Sequence, residues 1–359
     1  MSKIIAIGTA VPQYNTAQNN ILEYMHHAYS NAIVSRKLNV LFHNSGIQQR
    51  YSSIPDFNLQ DKRSFFLNSS EKAPPSVEDR NILFKKNALP LAIEAIANAC
   101  NDINTTTTDI GVTHLISVTC TGLSAPGIDA DIIEQLNLPR DIYRTSVNFL
   151  GCNAVFHALK IADMICKTDA HAKVLVVSVE LCTLHFQAKN NHDNLLSNTI
   201  FGDGAAALIV TPDTFKSKGL TLSGFYSLLL NKGKELMGWN ITSQNFEMIL
   251  SAKIPDFIGD EVNDIVKNAA QKNGIQKIDK WAIHPGGKKI IDSIKAQLSL
   301  SSNDVAASYK VLSNYGNMSS PTILFVLKEL MNTAQTGETI FAIGFGPGLS
   351  IETAFLNYE

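Results

Sequence analysis

Apolar runs rich in β-branched residues alternate with helical periods from one end of this chain to the other, which leaves few options besides an α/β fold. In the first half KIIAIGTA, THLISVTC, KVLVVSVE and AAALIVTP read as strands. LTLSGFYSLLL, KWAIHPG, YKVLS, TIFAIGFG and LSIETAFLN do so in the second. Helical segments lie between them: ALPLAIEAIANAC, the run that follows Cys152, DFIGDEVNDIVKNAAQKNG and SPTILFVLKELMN. Both halves repeat a loose order of strands, helix and strands, although no residue-level repeat is visible. The expected division therefore falls near TPDTFKSKG, giving units 1–215 and 216–359 that share one core, with no low-complexity linker between them. The stretch from Ile47 to Asp79, rich in Ser, Asn and Pro, reads as loop, and as a cover or partner contact.

With 359 residues, 45% hydrophobic and 17% charged, the chain can bury one large core or two fused ones. A net charge of −2 gives no field for a nucleic acid, so an acidic ligand must meet a few local basic groups. That favours a small-molecule site. The start, MSKIIAIGTAVP, lacks the basic flank and apolar core of a signal peptide, and no run approaches about 18 apolar residues. A cytoplasmic protein without stable membrane insertion is expected. The five cysteines form no CxxC, and the nine histidines show no spacing that sets two on one helix face, His26 and His27 being adjacent. This pattern fits reduced thiols and argues against a metal site; NSS, NTT, NIT and NMS are taken as chance sequons.

Three segments carry chemistry. In NFLGCNAVFHALKIADMIC, Cys152 follows a glycine at the head of an amphipathic pattern. A buried packing cysteine is one reading. A nucleophile is the other, since N–H groups at a helix N-terminus favour thiolate. In WAIHPGGKK, His284 leaves a strand into a Gly-rich turn and is either a cleft residue or a satisfied structural histidine. In LSNYGNMSSPTILFVLKEL, Asn317 precedes a helix, where a cap is the plainer role. Together a thiol, an imidazole and a carboxamide can accept an acyl group, lower the thiol's pKa and hydrogen-bond an enolate or thioester oxygen.

The ordered motifs GC at Cys152, FGDGAAALIV from Phe201, IHPGG at His284, YGNMSS at Asn317 and GFGPGLSIET from Gly344 resemble those of the type III polyketide synthases, the chalcone synthase-like enzymes of the thiolase fold. The resemblance runs from AIGTAVP to the final strand. It implies two α/β halves around a layered αβαβα core, with Cys152 as acyl acceptor and His284 and Asn317 as its partners. It further implies a homodimer that loads an acyl-CoA starter and extends it by decarboxylative Claisen condensation of malonyl-CoA, with no metal or redox cofactor. A ketoacyl carrier-protein synthase of the initiating type uses the same three residues, but typically reads His-Gln-Ala-Asn where this chain has His284-Pro285-Gly286-Gly287. GFGPG is not a dinucleotide fingerprint, because it lies between two strands and lacks the third glycine. In the family this turn, Gly344, Phe345, Gly346, Pro347 and Gly348 here, also walls the reaction cavity.

Other positions depart from the plant pattern. Phe201 matches one gatekeeper between CoA tunnel and cavity; the second aligns with Met248, either a flexible path for a chain or ordinary core filling. Cys120 reads as cavity lining or as a buried strand cysteine, and Cys182 and His185 stand where the family varies its cavity. Asn153-Ala154-Val155-Phe156 replaces the plant FAGG. ELCTLHFQ and ELMGWN are similar to bacterial alkylpyrone and alkylresorcinol synthases. Arg50 matches the basic cluster for CoA phosphates, Gly286 lies at the tunnel mouth, and Lys288 and Lys289 either supplement the cluster or form a solvated pair. The expected activity is an iterative synthase primed by a fatty acyl-CoA and closing its product to a pyrone or resorcinol. A malonyl-only synthase of a phloroglucinol or naphthol, and an inactive acyl-binding scaffold, are the competing readings.

Overall fold

The computed structural model describes residues 1–29, 31–59, 64–66, 74–230 and 233–359. Seven strands fall in the first half: β1 (Ser2–Ala10), β2 (Tyr14–Ala17), β3 (Gln49–Ser52), β4 (His114–Thr119), β5 (Tyr143–Asn148), β6 (Val174–Leu181) and β7 (Asp203–Pro212). Six follow: β8 (Leu220–Leu229), β9 (Met237–Ile241), β10 (Phe246–Leu250), β11 (Lys280–Ile283), β12 (Thr339–Gly346) and β13 (Ser350–Tyr358). Nine of them make one mixed sheet in the order β11-β12-β13-β8-β1-β7-β6-β4-β5.

The sheet repeats a plan. In the first half β7 lies antiparallel between β1 and β6, and β6, β4 and β5 run parallel. In the second, β13 lies antiparallel between β8 and β12, and β12 and β11 run parallel. The halves meet where β1 and β8 pair antiparallel at Ser2↔Leu222, Lys3↔Thr221 and Ile4↔Leu220.

One expected strand is a helix. YKVLS lies inside the helix Ala306–Tyr315, whose buried Ser308, Val311 and Leu312 recur at helical spacing, with Val311 its only β-branched residue. The edge strand β5 escaped notice for the opposite reason: of YRTSVN only Val147 is buried, so no alternation marks it.

Burial sorts the helices into layers. Helices Ala154–Thr168 and Thr322–Met331 share one cluster with Ile4, Val118, Val176 and Leu208 of the first half and Leu222, Ala282, Ile340 and Leu356 of the second. TILFVLKELM buries Thr322 through Leu327 and Leu330, the near-continuous apolar surface of a helix packed on more than one side. Helix Val77–Asp102, opened by a capping box between Ser76 and Asp79, packs on the outer face of the first half. Helices Ile254–Asn273 and Lys288–Gln297 cover the second. The result is an αβαβα arrangement in which each buried Leu or Ile contributes about 1.5–3 kcal/mol. Of the segment expected as loop, residues 49–52 form β3, while 60–63 and 67–73 lie outside the described residues.

Candidate active site

Three strand ends and one helix start converge. After β5 the chain turns through Phe149 (φ 60°) and Gly151 (φ 79°) into a single 3-10 turn, Gly151–Asn153, that leads into helix Ala154–Thr168. Gly151 is required twice: its φ suits glycine, and a Cβ there would stand 2.3 Å from the Pro347 ring. Cys152 thus sits at the helix N-terminus with its side chain buried.

His284 follows β11, where its N–H donates to the Ile343 carbonyl at 2.9 Å. Asn317 is held against the segment Ile200–Gly202: its N–H donates to the Ile200 carbonyl at 2.8 Å and its own carbonyl accepts from the Gly202 N–H at 3.0 Å. Its side chain bridges. Nδ2 donates to the Gly286 carbonyl at 3.3 Å and Oδ1 accepts from the Ser319 N–H at 2.8 Å. The Gly286 that Asn317 holds lies against the His284 imidazole, so these two side chains flank one turn.

The electrostatics differ from the expected thiolate. Burial pushes the Cys152 thiol up to about 11, against the opposing hydrogen bonds of Ser319 and Asn317. Desolvation also takes the His284 imidazole down to about 3. Neither ring nitrogen of His284 has a hydrogen-bond partner, so no contact holds a Cys152–His284 ion pair here. Both shifts favour the neutral forms, because removal from water penalises each charge.

Beneath Cys152 lies an acid that sequence reasoning missed. Glu180 is fully buried, accepting from the Cys120 N–H at 2.9 Å, the Thr121 hydroxyl at 2.7 Å and the Ser320 hydroxyl at 2.6 Å. The available signal was a carboxylate in KVLVVSVE, an otherwise apolar strand.

Cys152 lines a cavity that opens beside it. Cys120, Cys182, His185, Phe201 and Met248 all line it. Of the glycine-rich turn only Pro347 does. Gly344 backs onto Phe156, Gly346 onto Asn153 and Gly348 onto Leu229, and Phe345 is packed in the core of the second half. The turn supports the wall rather than forming it, because β12 carries it under the Cys152 turn. Trp239 and Phe246, on β9 and β10, were missed as lining, though Met237/Trp239 and Phe246/Met248 alternate as a hairpin should. The Trp239 indole N–H donates to the Cys120 carbonyl at 2.8 Å, and His185 stacks on Phe246 at 4.5 Å.

The expected CoA contacts are dispersed. Arg50 is buried, donating to Gln18 Oε1 at 2.9 Å and to the Phe201 carbonyl, and desolvation lowers its pKa to about 9. It braces the Phe201 backbone instead of presenting a cation to solvent. Gly286 accepts from Asn317, and Lys289 is exposed on the first turn of helix Lys288–Gln297, whereas Lys288 pairs with Asp292 at 2.8 Å.

Comparisons with known proteins agree with this architecture. The family model for the chalcone and stilbene synthases, N-terminal domain, matches residues 1–214, and the model for the C-terminal domain of the same family matches residues 225–358. The chain is 32% identical over 290 residues to the alpha-pyrone synthesis polyketide synthase-like Pks18 of Mycobacterium tuberculosis, covering 78% of this chain and 73% of that protein. It is 28% identical to the 3,5-dihydroxyphenylacetyl-CoA synthase of Streptomyces toyocaensis, covering 99% and 90%. Among solved structures, PKS-I of the brown alga Ectocarpus siliculosus superposes with a TM-score of 0.92 at 26% identity, covering 100% of this chain and 98% of that one. The C-terminal type III polyketide synthase domain of Steely1 from Dictyostelium gives 0.91 at 27% identity, covering 99% of each. With the thiolase-type layers, the Cys152 turn and both family domains in place, the chain belongs to the chalcone and stilbene synthase family and is a type III polyketide synthase, an enzyme of acyl transfer.

Proposed function

We propose that this protein condenses a fatty acyl-CoA starter with successive malonyl-CoA units and closes the chain to an alkylpyrone or alkylresorcinol. The observation that carries this reading is the cavity beside Cys152: Met25, Phe57, Phe186, Met237 and Met248 line it, and among the described residues Arg50 is the one Lys, Arg, Asp or Glu in its lining. Such a surface suits an alkyl chain. Cys152 Sγ attacks the starter thioester, the thiol proton passes to His284, and CoA thiolate leaves. Burial favours the neutral thiol and the neutral imidazole, and the transfer accompanies the loading step. Malonyl-CoA then loses CO2, and the electron pair of the broken C–C bond moves onto the thioester oxygen as an enolate. His284, with unpartnered ring nitrogens, and Asn317 donate to that oxygen, each good donor being worth about 10²–10³ in rate. The enolate carbon attacks the acyl thioester, frees Cys152, and the lengthened chain is recaptured for the next round.

CoA thioesters are the only substrates in this scheme, and no resident cofactor takes part. Lys289, at the head of its helix beside Gly286 and Gly287, is assigned to the CoA phosphates. The exposed edge strand β5, with Tyr143 72% exposed, supports a homodimer. Five free cysteines support a reducing compartment, the cytoplasm. Among the described residues no helix is long and apolar enough to cross a membrane. A malonyl-only synthase of a small aromatic is the second reading, favoured by the Trp239, His185 and Phe246 rings that crowd one wall.

The test is mass spectrometry of products from purified protein given malonyl-CoA with acyl-CoAs from acetyl to palmitoyl and a no-starter control. Products that lengthen with the starter support the fatty acyl reading. Product in the control alone favours the second, and no product with any donor removes both.

A further inference from the structure

We infer that Arg80, which touches neither cavity nor thiol, is a positioning residue that sets the shape of the acyl cavity by pinning two of its walls to helix Val77–Asp102. This rests on the polyketide synthase reading for its substrates. The Arg80 side chain is 3% exposed, and its recorded hydrogen bonds all go to main-chain carbonyls. Nε donates to the carbonyls of Gln244 at 3.0 Å and Pro75 at 3.1 Å. Nη1 donates to the carbonyl of Phe186 at 3.2 Å and to that of Leu184.

Those carbonyls belong to the elements that shape the cavity. Leu184 and Phe186 end the turn that carries Cys182, Thr183, His185 and Gln187 into the lining, and Gln244 lies in the tip of the β9–β10 hairpin that brings Met237, Trp239, Phe246 and Met248. On the cavity side His185 joins the same two elements: its Nδ1 accepts from the Phe246 N–H at 3.4 Å while its ring stacks on Phe246 and meets Trp239 edge-on. Arg80 fastens them from behind. A planar guanidinium directs N–H groups from separate nitrogens at carbonyls on different segments, whereas a lysine ammonium holds its three donors on one nitrogen and cannot span the same spread of carbonyls. The carbonyl end of a 3-10 turn also favours a cation. A buried charge is costly, and here it is offset by the carbonyl dipoles of the substrate-shaping segments, with the neighbouring Asp79 carboxylate and the Phe66 ring, 5.3 Å from the guanidinium carbon, adding to them.

The experiment compares wild type with Arg80→Lys and Arg80→Met. Amide hydrogen exchange should rise about tenfold in residues 182–187 and 242–246 of Arg80→Lys, with helix Ala154–Thr168 unchanged. The same variant should shift its product ratio across the acyl-CoA ladder by about threefold or more while malonyl-CoA decarboxylation stays within about twofold. Wild-type exchange with a wild-type starter profile in Arg80→Lys would overturn the assignment. So would exchange raised throughout the chain, which marks a global role. If Arg80→Met does not fold, Arg80→Lys alone decides. If wild type makes no polyketide from any starter, the proposed function fails, and the exchange pattern still decides the role of Arg80.

Discussion

Two buried histidines should make this protein sensitive to mild acid, and His185 allows the effect to be dissected. Its Nε2 lies 2.8 Å from the Thr121 carbonyl and so carries the proton, while Nδ1 accepts the Phe246 N–H. A second proton would turn that acceptor into a donor facing a donor. Desolvation lowers the pKa to about 3, against about 6.5 for a histidine in the unfolded chain. The sign follows: between those values the unfolded chain binds a proton that the folded one refuses, so stability is complete above about 6.5 and is lost as pH falls toward about 3. At pH 5 the loss is about 2 kcal/mol for His185, at about 1.4 kcal/mol per pK unit over about 1.5 units. His284, also lowered to about 3, adds a similar amount, so wild type should lose about 4 kcal/mol between pH 7 and 5 from the pair. His185→Gln keeps a donor for Thr121 but cannot titrate, and should lose about 2 kcal/mol less over the same interval. Urea unfolding of both proteins at the two pH values measures the difference. Equal losses, or a folded-state NMR titration of His185 near 6.5, would refute the reasoning.

Cys152→Ala should abolish chain extension while leaving malonyl-CoA decarboxylation measurable; an unchanged product yield removes Cys152 from the mechanism. Asn317→Ala should lower the turnover of CO2 release by about 10²–10³, and a change within about twofold would show that its amide does not stabilise the enolate. Glu180→Ala leaves the Cys120 N–H and the Thr121 and Ser320 hydroxyls without their shared acceptor, for a loss of about 3–5 kcal/mol, whereas Glu180→Gln should cost about 1 kcal/mol. Equal urea midpoints for these two variants would mean that the network carries little stability. Met248→Phe should narrow the accepted starter lengths, and an unaltered profile would assign Met248 to packing alone.

The sequence by itself determined the alternation of strands and helices, and with it the α/β layers, because burial on two faces demands the apolar runs that Val174–Leu181 and Asp203–Pro212 display. It also marked Cys152, His284 and Asn317, since each stands at the end of a regular element beside glycine or a capping residue, where local rules are strongest. Periodicity failed where side chains did not face a core, as in β5, and where a single β-branched residue suggested a strand inside the helix Ala306–Tyr315. Only the tertiary structure decided the protonation of the site, because desolvation depends on what surrounds a group and not on its neighbours in the chain. It likewise turned Arg50 inward, set Glu180 under Cys120 and left Pro347 as the one cavity-facing member of its turn. Arg80 shows the same division: the helical pattern legible in the sequence begins only at Ala88, and three of the carbonyls Arg80 holds, those of Leu184, Phe186 and Gln244, come from segments more than a hundred residues away and are joined only by the fold.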